Sequence, residues 1–144
     1  YAIFLISAKY DRLDIIKYLS KYYLPEYIYK NAYEFAAGNG HVNVMEYLIS
    51  LPKEYRIDPA ANNNTAFRLA AGNGHLHVLE YLISLPKEYR IDPAAYDNDA
   101  VWRASGNGHL HVLEYLISLS FRRFSIAWSG VSLSRYGRGL IIAT

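Results

Sequence analysis

Histidine is the residue whose type and spacing most invite chemistry in this chain. There are five: His41, His75, His77, His109 and His111. His75-x-His77 and His109-x-His111 have the form of ligand pairs for zinc. On a helix, however, side chains two positions apart point about 200° away from each other and cannot close on one ion. Stacked helices stand roughly 8–10 Å apart, and zinc requires each nitrogen at about 2.0–2.1 Å. The spacing therefore predicts that His75 and His109 tie a turn, that His77 and His111 face solvent, and that no metal is bound.

Other arrangements reduce in the same way. Ser84 and Ser118 recur at helix ends. Asp58 and Asp92 each precede a proline, where turn formation accounts for an aspartate. Glu46, Glu80 and Glu114 form one solvated row. No nucleophile, base and acid come together. The Gly-Asn-Gly stretches lack the lysine and preceding strand of a phosphate loop. No cysteine is present, so neither a disulfide framework nor a cysteine-based zinc site can form. The expectation is a non-catalytic protein with no cofactor and no small-molecule substrate.

The elements that carry these residues repeat. Residues 72–85 (GNGHLHVLEYLISL) return unchanged as 106–119, and residues 48–61 (LISLPKEYRIDPAA) return as 82–95, both at a step of 34. A third Asn-Gly-His lies one step earlier, at Asn39, Gly40 and His41. A fixed period of this size signals stacked supersecondary units. In the type unit, Thr65 has the side-chain oxygen of a helix N-cap, as do Asn31 and Asp99 at the same slot. Glu34 could complete a capping box with Asn31. Ala66 to Ala71 read as a short helix that Gly72-Asn73-Gly74 ends by a left-handed backbone. Leu76, Leu79, Leu82 and Ile83 mark a second helix at three- and four-residue spacing. Pro86 stops it, and Pro86 to Pro93 read as an extended loop plugged onto the stack by Tyr89 and Ile91.

Ala70-Ala71-Gly72-Asn73-Gly74-His75-Leu76 resembles the A-A-x-x-G-H-L core of ankyrin repeats. Period and core agree independently over about residues 2–119. The resemblance implies an all-α solenoid of about four helix–turn–helix units, approximately 2–30, 31–64, 65–98 and 99–119, the last truncated. It is similar to divergent arrays of large DNA viruses, protists and intracellular bacteria. The family's T-P-L-H opening is replaced by Thr65-Ala66-Phe67-Arg68, Asn31-Ala32-Tyr33-Glu34 and Asp99-Ala100-Val101-Trp102. Without that proline and histidine, looser anchoring of each loop is expected.

Residues 120–144 resemble no part of the repeat. They carry four Arg and no acid, against 11 Lys/Arg and 13 Asp/Glu in residues 1–119. Disorder is expected there. No apolar run reaches the roughly 18 residues of a membrane span. The apolar opening YAIFLISA lacks a positive flank, so a signal peptide is not expected, and a cytoplasmic location is favoured. The first residue is Tyr1, which suggests a fragment.

What varies between repeats points to function. Tyr29, Lys30 and Glu34 in one unit correspond in place to Asn63, Asn64 and Arg68 in the next, and to Asp97, Asn98 and Trp102 in the third. By the resemblance, loop tips and the exposed side of the first helix line a concave face that binds another protein. An exposed Trp beside an Arg is the composition of a binding hot spot. The resulting expectation is a monomeric interaction scaffold. The alternatives are a tether that docks its Arg-rich end on anionic membrane or nucleic acid, and an adaptor fragment of a larger protein. Near-neutral repeats carry no nucleic-acid footprint.

Overall fold

The structure, a computed structural model, describes residues 1–129, with side chains through Arg122. Eight helices follow one another among the described residues: α1 (Ala2–Lys9), α2 (Leu13–Leu19), α3 (Glu26–Gly38), α4 (Val42–Ser50), α5 (Ala61–Gly72), α6 (Leu76–Ser84), α7 (Ala95–Gly106) and α8 (Leu110–Ser129). They pair as four hairpins. The first helices form one row, in which α1 packs on α3, α3 on α5 and α5 on α7. The second helices form another, with α4 against α6 and α6 against α8. Helices this short do not persist alone in water, so neighbouring hairpins must supply the packing.

The residues between the rows explain the pattern. Small side chains sit where α3 and α5 approach their neighbours: Ala36, Ala37, Ala70 and Ala71 are completely buried. The apolar stripe of the second helices supplies the bulk, with Val44, Met45, Leu48, Val78, Leu79 and Leu82 buried. Each fully buried side chain of this kind contributes about 1.5–3 kcal/mol. The Glu46, Glu80 and Glu114 row is exposed.

The last three hairpins turn through a glycine at positive φ, namely Gly40, Gly74 and Gly108, and the first through Asp11, also left-handed at φ 57. The histidine after each glycine closes the turn, its N–H bonded to the carbonyl of Ala36, Ala70 or Ala104.

Several boundaries differ from the sequence reading. No side-chain cap bond starts α3, α5 or α7. Asn31 lies inside α3, which begins five residues earlier at Glu26. The loop before α3 is shorter than the others, so the helix starts where the later units still have loop. Thr65 donates its hydroxyl to the Asn62 carbonyl at 2.7 Å instead of capping. Pro86 to Pro93 is not fully extended, because Lys87–Tyr89 forms one 3-10 turn, as does Lys53–Tyr55. Ile57 and Ile91 pack against the core, while Tyr89 is half-buried.

α8 continues through Ser129, so residues 120–129 are helical. The expected disorder otherwise concerns residues 130–144, which lie outside the described residues. Among the described residues no helix is long and apolar enough to cross a membrane.

Candidate functional site

At the start of α5 and of α7, within the first residues of each, the backbone breaks from helical geometry into an uncommon turn. Asn62, Asn63 and Asn64 all adopt left-handed dihedrals (φ 53, 56 and 57), and Tyr96, Asp97 and Asn98 repeat the geometry one step on (φ 56, 54 and 60). Three such residues in a row cost roughly 1–2 kcal/mol each. Asparagine and aspartate bear this best because a short polar side chain can bond locally.

Specific bonds hold the first turn. Asn62 donates from Nδ2 to Glu34 Oε1 at 2.8 Å, and Asn64 Oδ1 accepts the Asp92 N–H at 3.1 Å. These contacts, with the Asp58 and Asp92 carboxylates accepting from the Ala60 and Ala94 N–H groups, anchor the loops that were expected to be loose.

The second turn is held by charge. Arg68 Nε donates to Asp99 Oδ2 at 2.7 Å, Arg103 bonds the same oxygen, and the Arg68 guanidinium lies 4.5 Å from the centre of the Tyr96 ring. The Arg68 and Asp99 side chains are only 14% and 19% exposed. Burial pushes the Asp99 carboxyl upward, but hydrogen bonds from Arg68 and Arg103 outweigh it and hold the group below its ordinary value.

The candidate residues separate into three groups. Tyr29 is fully buried and leaves the candidate surface; its ring meets Phe4 and Tyr55 at 5.1 and 4.5 Å. In the 34-residue frame Tyr29 corresponds to Asn63. Asn63 lies in a left-handed turn, whereas Tyr29 lies inside regular α3, and the two side chains are aimed differently. Burial also pushes the Tyr29 hydroxyl up to about 12. Asn64 is a second correction: it is 6% exposed and tied to Asp92.

Lys30, Glu34 and Arg68 are occupied within the protein. Lys30 pairs with Glu26, and Glu34 bonds Asn62 rather than capping Asn31. Asn63, Asp97, Asn98 and Trp102 stand exposed. Trp102 is 72% exposed and borders a groove of about 370 Å³ with Val101, Ile117 and Phe121.

The histidines have a role that sequence reasoning only half found. His75 Nε2 and Asn73 Nδ2 both donate to the Gly38 carbonyl of the preceding hairpin, at 3.1 and 2.6 Å. His109 and Asn107 repeat this on Gly72, at 3.0 and 2.7 Å. His77 and His111 are exposed, yet they reach the Gly40 and Gly74 carbonyls at 2.7 and 3.2 Å. His41 bonds Lys9 O at 2.8 Å. All five Nε2 atoms thus donate to carbonyls one unit back, forming a ladder along the turns. Among the described residues no group of three or more His, Asp or Glu is placed to hold a metal ion.

A family model described as ankyrin repeats (3 copies) matches residues 33–123. That span runs from within α3 to within α8, covering most of the last three hairpins, and ends four residues beyond Leu119, where the letter-for-letter repeat stops. No curated protein matches the chain.

Proposed function

From the premise that the chain belongs to the ankyrin repeat family, we propose that it is a non-catalytic scaffold. It binds a partner protein through the face formed by α5, α7 and the left-handed turns at their starts. Ankyrin repeats are generally protein-interaction modules and generally not catalytic. In the family's architecture this face corresponds to the concave side.

The observation that carries the reading is Trp102. A tryptophan 72% open to solvent stands one turn from an Arg68–Asp99–Arg103 cluster that is already locked. Large exposed aromatics supply most binding energy when their surroundings are fixed in advance. Asn63, Asp97 and Asn98 add polar groups on backbone that the left-handed turns hold in place. The scaffold acts as a single chain.

The test is affinity capture with the full chain, followed by quantitative mass spectrometry, in parallel with Trp102→Ala. Arg68 is unsuitable as the probe because its side chain is part of the fold. Loss of about tenfold or more in affinity for the captured protein, with thermal unfolding unchanged, is the expected result. Equal capture by an intact Trp102→Ala chain would remove this face from consideration.

A further inference from the structure

α8 does not end where α4 and α6 end. Those helices stop before Pro52 and Pro86. In the 34-residue frame Ser120 takes the place of both prolines, and its hydroxyl bonds Leu116 O at 3.2 Å as part of a continuing helix. The helix therefore carries Arg122 into the slot that Glu54 and Glu88 hold in earlier units.

The consequence is a groove of about 400 Å³ between α8, the end of α6 and the third loop. Ile83, Leu85, Ile91 and Leu119 wall it, all half-buried. Lys87, Arg90 and Arg122 rim it and are exposed. None of the three takes part in the ion pairs found among the described residues, and the lining includes no carboxylate.

We propose that this groove binds an acidic, apolar peptide segment of a partner protein. One or two large aliphatic or aromatic side chains pack on the wall, and Asp or Glu carboxylates meet the cationic rim. The volume lies in the range of sites that take small ligands. Carboxylates bonded to Lys or Arg make stronger hydrogen bonds than neutral groups do. Charge also selects against residues 130–144 as the occupant, since they carry Arg135 and Arg138 and no acid. The groove is distinct from the Trp102 face, so the two readings stand or fall separately.

The probes are short synthetic peptides that combine Leu, Ile or Phe with Asp or Glu. Two control sets replace the acids by Lys or the apolar residues by Ser. Binding to the full chain is followed by fluorescence anisotropy at low salt and at ~0.5 M salt. Acidic apolar peptides should bind, both control sets should not, and salt should weaken binding. Lys87→Glu with Arg122→Glu should lower affinity about tenfold or more while the melting curve holds, and Trp102→Ala should leave it unchanged.

Failure of every acidic apolar peptide, equal binding of the Lys set, or full affinity in the double variant would each overturn the proposal. Binding to phosphatidylserine-containing vesicles without peptide binding would overturn it as well and assign the cations to a membrane surface.

Discussion

Glycine shows most clearly how one residue type in one local sequence takes on different energetic roles. Gly40, Gly74 and Gly108 share the same turn and positive φ values of 85, 79 and 76. Any side chain there loses about 1–2 kcal/mol to the left-handed backbone. Their surroundings differ. A Cβ on Gly74 would fall 2.6 Å from His109 Nδ1, and one on Gly40 would fall 3.0 Å from His75 Nδ1, whereas one on Gly108 would meet nothing within 4 Å. Gly74→Ala must therefore also displace the His109 ring, whose bond to Gly72 then weakens, at about 1 kcal/mol more. Urea denaturation should rank the losses Gly74→Ala, Gly40→Ala, Gly108→Ala, from largest to smallest. Equal losses would mean that the ring yields freely. The glycine turn itself was legible in the sequence. The ladder was not, because each histidine bonds a backbone carbonyl in another unit, and a carbonyl leaves no mark in the letters.

At the scale of elements, apolar spacing located the helix pairs, since only one face of each second helix is buried. The starts of the first helices were misread for a physical reason. Asn, Thr and Asp suit an N-cap, and they equally suit a left-handed turn or a loop-bridging bond. The choice was made by tertiary partners such as Glu34 and Arg68, which the local sequence does not contain. The end of α8 was misjudged as well: repeat letters stop at Leu119, but what ends the earlier helices is proline, and Ser120 permits continuation. Ser120→Pro should therefore shorten α8 to near Leu119. Proline removes the N–H and clashes with the preceding turn, at about 3 kcal/mol within a helix. Circular dichroism should show helical signal lost for roughly the ten residues of 120–129, with the main unfolding transition little changed. Unaltered helicity would place the stop signal elsewhere than at proline.

At the scale of the whole molecule, the described residues form a one-dimensional stack, whose stability sums unit contributions and the interfaces between them. Its histidine ladder crosses every one of those interfaces, so the loss of a rung weakens the contact between neighbouring units. His75 occupies the middle rung. Burial lowers its pKa below the ordinary 6.5, the charges of His77, His41 and His109 lower it further, and the Gly38 carbonyl, accepting from Nε2, opposes both. A histidine with a depressed folded pKa binds fewer protons folded than unfolded, so its contribution is complete above 6.5 and declines as pH falls toward the folded value. Asp99, held low by its arginines, remains ionised through this window and does not mask the effect. Stability measured by urea denaturation should therefore fall between pH 7 and pH 5. His75→Gln retains an amide donor for Gly38 without a titrating ring, and should flatten part of that slope while preserving most of the stability at pH 7. A flat profile in the parent chain, or an identical slope in His75→Gln, would mean that the rungs are solvated well enough for protonation to pass unnoticed. In that case the coupling between units would rest on the buried alanine and leucine contacts together with bonds that do not titrate in this range, such as Asn73 to Gly38 and Arg68 to Asp99.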